Sequence, residues 1–147
     1  MPDAIQHLTT PALFPSPGYA HAVVSPPGAT VWTAGGVPLD VEGRLVGAGD
    51  LTAQTEQVLA NLTLALEAAG ATPRDVVRTT VYVVTEARAD LGVVWDAVQA
   101  SAFAPAASTL LGVALLGYDG QLVEIEATAV VPAYPGQTRP ARRNLDV

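Results

Sequence analysis

Two stretches decide the fold: Pro105-Ala106-Ala107-Ser108-Thr109-Leu110 and Val123-Glu124-Ile125-Glu126-Ala127-Thr128-Ala129-Val130. They read as strands, Ser108–Leu116 and Gln121–Val131, turning at Tyr118-Asp119-Gly120. Alternate residues of a strand share a face. Glu124 and Glu126 therefore sit on one side, and Ile125, Ala127 and Ala129 on the other. A carboxylate pair in so apolar a strand is costly unless something pairs or solvates it. This strand is the first candidate for a site. The block at 105–110, by contrast, carries no basic residue.

Outward from these strands, the clearest helix begins after Asp50, a good N-cap, and ends at Gly70, a good C′ residue. Leu51, Thr55, Val58, Leu62, Leu66 and Ala69 recur at spacings of three and four, with Glu56, Asn61 and Glu67 on the outer side. A β-branched run, Val76–Val84, follows. It sets Val77, Thr79, Val81 and Val83 against Arg78, Thr80 and Tyr82. A second helix is expected from about Arg88 to Ala100, with Leu91, Val94, Trp95 and Val98 inward. Upstream, Ile5–Thr10 suggests an edge strand, Tyr19–Ser25 an extended segment and Thr30–Ala34 a strand broken by Gly35-Gly36. Asp40-Val41-Glu42-Gly43 reads as a turn. The order predicts an α+β layer, a mixed sheet with two helices on one face. The other sheet face is left for a partner subunit. Residues 1–131 form one domain in this reading, and 132–147 a tail rich in Pro, Gly and Arg.

Bulk properties narrow the function. The chain has 147 residues, half of them hydrophobic, which suits one domain with a real core. Only 14% are charged, against about a quarter in an average domain. That deficit suggests a homo-oligomer burying apolar surface between subunits. The net charge of −7 and the absence of Lys argue against nucleic acid as a partner. No secretory pattern or membrane-spanning apolar run is evident, so a cytoplasmic protein without a membrane partner is expected. With no Cys, thiol chemistry and Cys-type zinc sites are excluded. His7 and His21 have no metal-ligand spacing, so no metal is expected. There is no serine-hydrolase elbow, and Gly35-Gly36 and Gly47-Ala48-Gly49 do not form a phosphate loop. Glu124 and Glu126 remain, with Glu126 also readable as a residue of a wet face or a polar subunit seam.

Motifs along nearly the whole domain carry a resemblance. They are Ser16-Pro17-Gly18-Tyr19, Thr33-Ala34-Gly35-Gly36-Val37-Pro38, Asp50 to Gln57, Asn61-Leu62 and Ala68-Ala69-Gly70-Ala71. They continue with Asp75-Val76-Val77-Arg78, Val81-Tyr82-Val83, Pro105 to Thr109 and Val123 to Ala127. The sequence resembles the Rid family (reactive intermediate deaminases, formerly endoribonuclease L-PSP). The resemblance implies a chorismate-mutase-like fold and a homotrimer with a central β-barrel, with small-molecule clefts at the subunit interfaces. It also implies cofactor-free hydrolysis of 2-imino or 2-enamino acids to the keto acid and ammonia. Glu124 takes the position of the water-orienting glutamate. Tyr19, Ala34, Gly35, Ala107, Ser108 and Thr109 take ligand-binding positions.

One departure matters. Ala107 stands where deaminating members carry a carboxylate-binding arginine, and Ala34 where a serine is common. A desolvated bidentate contact of that kind is worth about 2–5 kcal/mol. Arg78, Arg142 and Arg143 are the candidates to replace it. The expected function is imine or enamine hydrolysis on an altered substrate. The alternative is a non-catalytic module binding a small metabolite in the same cleft.

Overall fold

The computed structural model describes residues 4–132. The tail expected from residue 132, with Arg142 and Arg143, lies outside the described residues apart from Pro132, the last residue of the final strand. Two short strands, β1 (Gln6–Leu8) and β2 (Ala22–Val24), pair antiparallel as a separate ribbon. The main sheet contains β3 (Gly28–Trp32), β4 (Val76–Val84), β5 (Ala107–Val113) and β6 (Val123–Pro132) in the order β3-β6-β4-β5. The β6 strand runs antiparallel to both neighbours, whereas β4 and β5 are parallel. Parallel neighbours need a crossover. Helix α2 (Arg88–Gln99) supplies it, and α1 (Leu51–Ala68) links β3 to β4.

The mixed α+β sheet with its two helices is as expected. The central barrel is not. The sheet is open, with β3 and β5 as its edges. Four strands are too few to close, since small side-chain-filled barrels use about eight.

Helix α1 begins and ends as its sequence dictates. The Asp50 carboxylate accepts the Ala53 N–H at 2.9 Å. Gly70 at φ +80° lets the Ala71 N–H return to the Leu66 carbonyl, which ends α1. Val58, Leu62 and Leu66 pack with Val94 and Val98 on Val81, Val83, Val123, Ile125 and Ala129. Gly36 allows this close seating, because a Cβ there would lie 2.7 Å from Leu62 Cγ.

Two details depart from the sequence reading. A bulge between Val76 and Arg78 moves Val77 off the helix-facing side and puts Val76 there instead. Asn61 does not face water. Its amide donates to the carbonyls of Val37 (2.8 Å) and Leu39 (2.9 Å), tying the β3–α1 connection to the helix.

Candidate functional site

The face of the sheet away from the helices carries the polar strand residues singled out by the sequence, except Thr79 and Ser108. Register places Arg78, Thr80 and Tyr82 of β4 beside Thr128, Glu126 and Glu124 of β6, and beside Ala107, Thr109 and Leu111 of β5. Trp32 of β3 pairs with Thr128 and stands 76% exposed on the same side. Ser108 is the register partner of Thr79 and turns toward the helices, where it accepts the Thr79 hydroxyl at 2.7 Å. The structure therefore separates Ser108 from Ala107 and Thr109.

Glu124 occupies a tight corner. Its half-buried carboxylate accepts the Gln121 amide through Oε2 at 3.2 Å. Its Oε1 lies against Gly35, where a Cβ would come within 1.9 Å. Only glycine leaves room for that oxygen. The strand end irregularity is the reason for the close approach. Beyond Trp32 the chain bonds to β6 through Thr33 with Ala127 and through Gly36 with Ile125, carrying Ala34 and Gly35 over the sheet between them. Ala34 is exposed there.

The support beneath Glu124 was not legible in the sequence. Gln121 is 4% exposed and also donates to the Val123 carbonyl at 3.1 Å, while its own oxygen accepts the Tyr118 N–H. Gln54 is fully buried on the inner side of α1. Its amide donates to the Gly47 and Gly120 carbonyls, and its oxygen accepts the Leu122 N–H at 2.8 Å. It thus anchors the turn that leads into β6. The available signal was a glutamine placed, beside Thr55, between Leu51 and Val58 on the side of the helix that carries its apolar residues.

Glu126, two residues on, is exposed. It accepts the Tyr82 hydroxyl at 2.9 Å. That hydrogen bond, with burial and the charges of Glu126 and Glu124, raises the Tyr82 pKa above the ordinary tyrosine value, while Arg78 opposes the rise.

Tyr19 belongs to the opposite edge. Its ring meets Trp95 and His21 edge-on, at centroid distances of 6.1 and 6.2 Å. The Trp95 indole donates to the Pro17 carbonyl at 2.7 Å, and the Ala20 N–H donates to the Pro105 carbonyl at 3.0 Å. The segment around Tyr19 is thereby held beside the start of β5. Ala107 is separated from Glu124 by two strand spacings, about 10 Å, and by four residues along the strand, about 13 Å. The candidate residues thus form two groups within one chain: Glu124, Gly35 and Ala34 at the β3–β6 side, and Tyr19, Ala107 and Thr109 at the β5 edge.

The endoribonuclease L-PSP family model matches residues 9–131, which takes in both groups. The chain belongs to this family, the Rid family. Among solved structures, a Rid-family protein of unknown function, YyfB from Yersinia pestis, is 41% identical. Its TM-score is 0.78, and the match covers 86% of this chain and 98% of that one. The structure of Escherichia coli TdcF with bound serine is 25% identical with TM-score 0.60, covering 71% of this chain and 82% of TdcF. A RutC family protein of Pyrococcus abyssi is 42% identical over 52 residues, which is 35% of this chain and 41% of that protein. Among the described residues no helix is long and apolar enough to cross a membrane.

Proposed function

We propose that this Rid-family chain forms small-molecule clefts between copies of itself, and that it hydrolyses an imine or enamine there. The observation that carries the reading is the seat of Glu124. A carboxylate fixed through one oxygen by Gln121, with its other oxygen against glycine backbone, is suited to orient a water and take its proton. An enamine first tautomerises to the imine; the water then adds to the C=N carbon, the proton taken by Glu124 passes to the nitrogen, and the carbinolamine collapses to the carbonyl compound and ammonia. No redox step or electron carrier enters this balance.

The division of the candidate residues supports a cleft made by two copies. Among the described residues the outer edge of β5 is unpaired and open to a second copy, which in this reading brings its own Glu124 and Gly35 toward Tyr19, Ala107 and Thr109. The homotrimer implied by the family resemblance would supply three such clefts. The serine bound in the TdcF structure supports a small polar metabolite as the occupant. The Ala107 methyl favours a second reading, a non-catalytic binding module, because the arginine that grips the substrate in deaminating relatives is absent from that position.

Imines generated in place by an amino-acid oxidase, with semicarbazide as competing trap, separate the two readings. Faster loss of the semicarbazone signal with protein present supports hydrolysis. No acceleration, with a metabolite retained through purification, supports the binding module. Sedimentation velocity at the assay concentration tests the cleft itself, since a monomer would have only half of each site.

A further inference from the structure

We infer that Arg78 of β4 is the anion anchor of the cleft, and that the ligand it selects is a small monocarboxylate. This rests on the cleft reading above and adds the residue and the ligand class. The argument begins with register. Arg78 is the direct partner of Ala107 in the parallel β4–β5 pair, so both side chains rise from the same face of neighbouring strands. The alanine methyl leaves the surface above β5 low. Across that low ground the Arg78 guanidinium reaches Thr109, donating from Nη2 to Oγ1 at 3.0 Å. A positive charge is thus delivered to β5 even though β5 itself carries none.

The guanidinium is also uncommitted electrically. Among the described residues the ion pairs are those of Arg44 with Asp40 and Glu42; Arg78 makes none, although Glu124 and Glu126 share its face. Thr109 occupies one of its N–H groups and fixes the direction of the fork, leaving others for a ligand. A planar carboxylate matches that fork in geometry. Charge favours a monoanion over a phosphate. Arg78 is the one cation on this face among the described residues, it stands beside two glutamates, and the whole chain is at −7. A dianion would bring more negative charge than one guanidinium offsets.

The experiment compares pyruvate with its neutral amide, pyruvamide, as calorimetric ligands of the intact oligomer. Wild type is expected to bind pyruvate at least about tenfold more tightly. Arg78→Gln should erase that preference, with sedimentation velocity checking that the oligomer persists, so that lost binding is distinguished from lost assembly. Arg78→Lys should recover little of it, because an ammonium lacks the fork. Adding Ala107→Arg to Arg78→Gln should restore it, by supplying the same charge from the neighbouring strand. A preference that survives Arg78→Gln overturns the assignment, as does equal or absent binding of the two ligands by wild type. Imine hydrolysis by wild type without carboxylate preference overturns this assignment and leaves the cleft reading standing. Loss of both hydrolysis and binding overturns the two together.

Discussion

Glu124 and Glu126 lie two residues apart on one strand and one face, yet the protein holds them in opposite ways. Glu124 is half-buried, bonded by a buried amide and pressed against Gly35. Glu126 is exposed and bonded by a tyrosine hydroxyl that itself sits on the open face. The first carboxylate is positioned by groups with few alternatives. The second shares its surroundings with water. Identical chemistry at identical strand phase therefore gives one candidate base and one surface acceptor, and the decision lies in what backs each of them.

The sharpest way to break that comparison is to neutralise the first carboxylate. Glu124→Gln preserves size and can still bond Gln121, so folding and assembly should persist. Imine hydrolysis should fall by about 10²- to 10⁴-fold in the semicarbazide assay, the usual contribution of a positioned base. A variant retaining most of its rate would remove Glu124 from the chemistry. Gly35→Ala tests the backing rather than the carboxylate. The new methyl would sit where Oε1 now lies, so the carboxylate must swing away. A misplacement of that size costs about 10²-fold in rate. Gly117→Ala is the matched control, since a Cβ there meets nothing within 4 Å.

Deeper support should register as stability before it registers as rate. Gln54→Leu keeps the volume roughly but deprives Leu122 N–H and the Gly47 and Gly120 carbonyls of their partner. A buried group left unpaired costs about 1–3 kcal/mol. Urea unfolding should therefore show a midpoint well below wild type. An unchanged midpoint would mean that water replaces the amide and that Gln54 does not anchor the turn into β6.

These layers differ in how legible they are from the residues alone. The alternation in Val123–Val130 was sufficient to put the two glutamates together, and the spacing from Leu51 to Leu66 to bury one side of α1. Those signals are periodic, and period is what a sequence displays. The Val77 bulge was not visible, because one extra residue changes the phase without changing the composition. Gln54, Gln121 and Asn61 make contacts to backbone groups far along the chain, and nothing local marks a side chain as the partner of a distant carbonyl. The expectation of a closed barrel went beyond what four strands can form. The separation of Ala107 from Glu124 depended on strand order, which alternation does not reveal.

The mildest test acts on the second carboxylate. Glu126→Gln replaces the carboxylate whose hydrogen bond, and to a lesser degree whose charge, raises the Tyr82 pKa, so that residue should titrate closer to an ordinary tyrosine. Phenolate absorbance across alkaline pH follows this directly, with Tyr82→Phe identifying which of the four tyrosines moves. The sign is fixed by the neutral hydroxyl, which is the form that donates to Glu126. With the folded value above the unfolded one, the bond's contribution is complete below about pH 10 and disappears as pH rises through the raised value. Wild type should thus lose a small part of its stability on the alkaline side that Tyr82→Phe never had. Glu126→Gln should meanwhile leave imine hydrolysis within about threefold of wild type, because an exposed carboxylate bonded to a surface hydroxyl has no fixed aim at a water. If instead the rate collapses as it does for Glu124→Gln, the two carboxylates act as a pair. Burial and backing would then not be what distinguishes base from bystander on this strand.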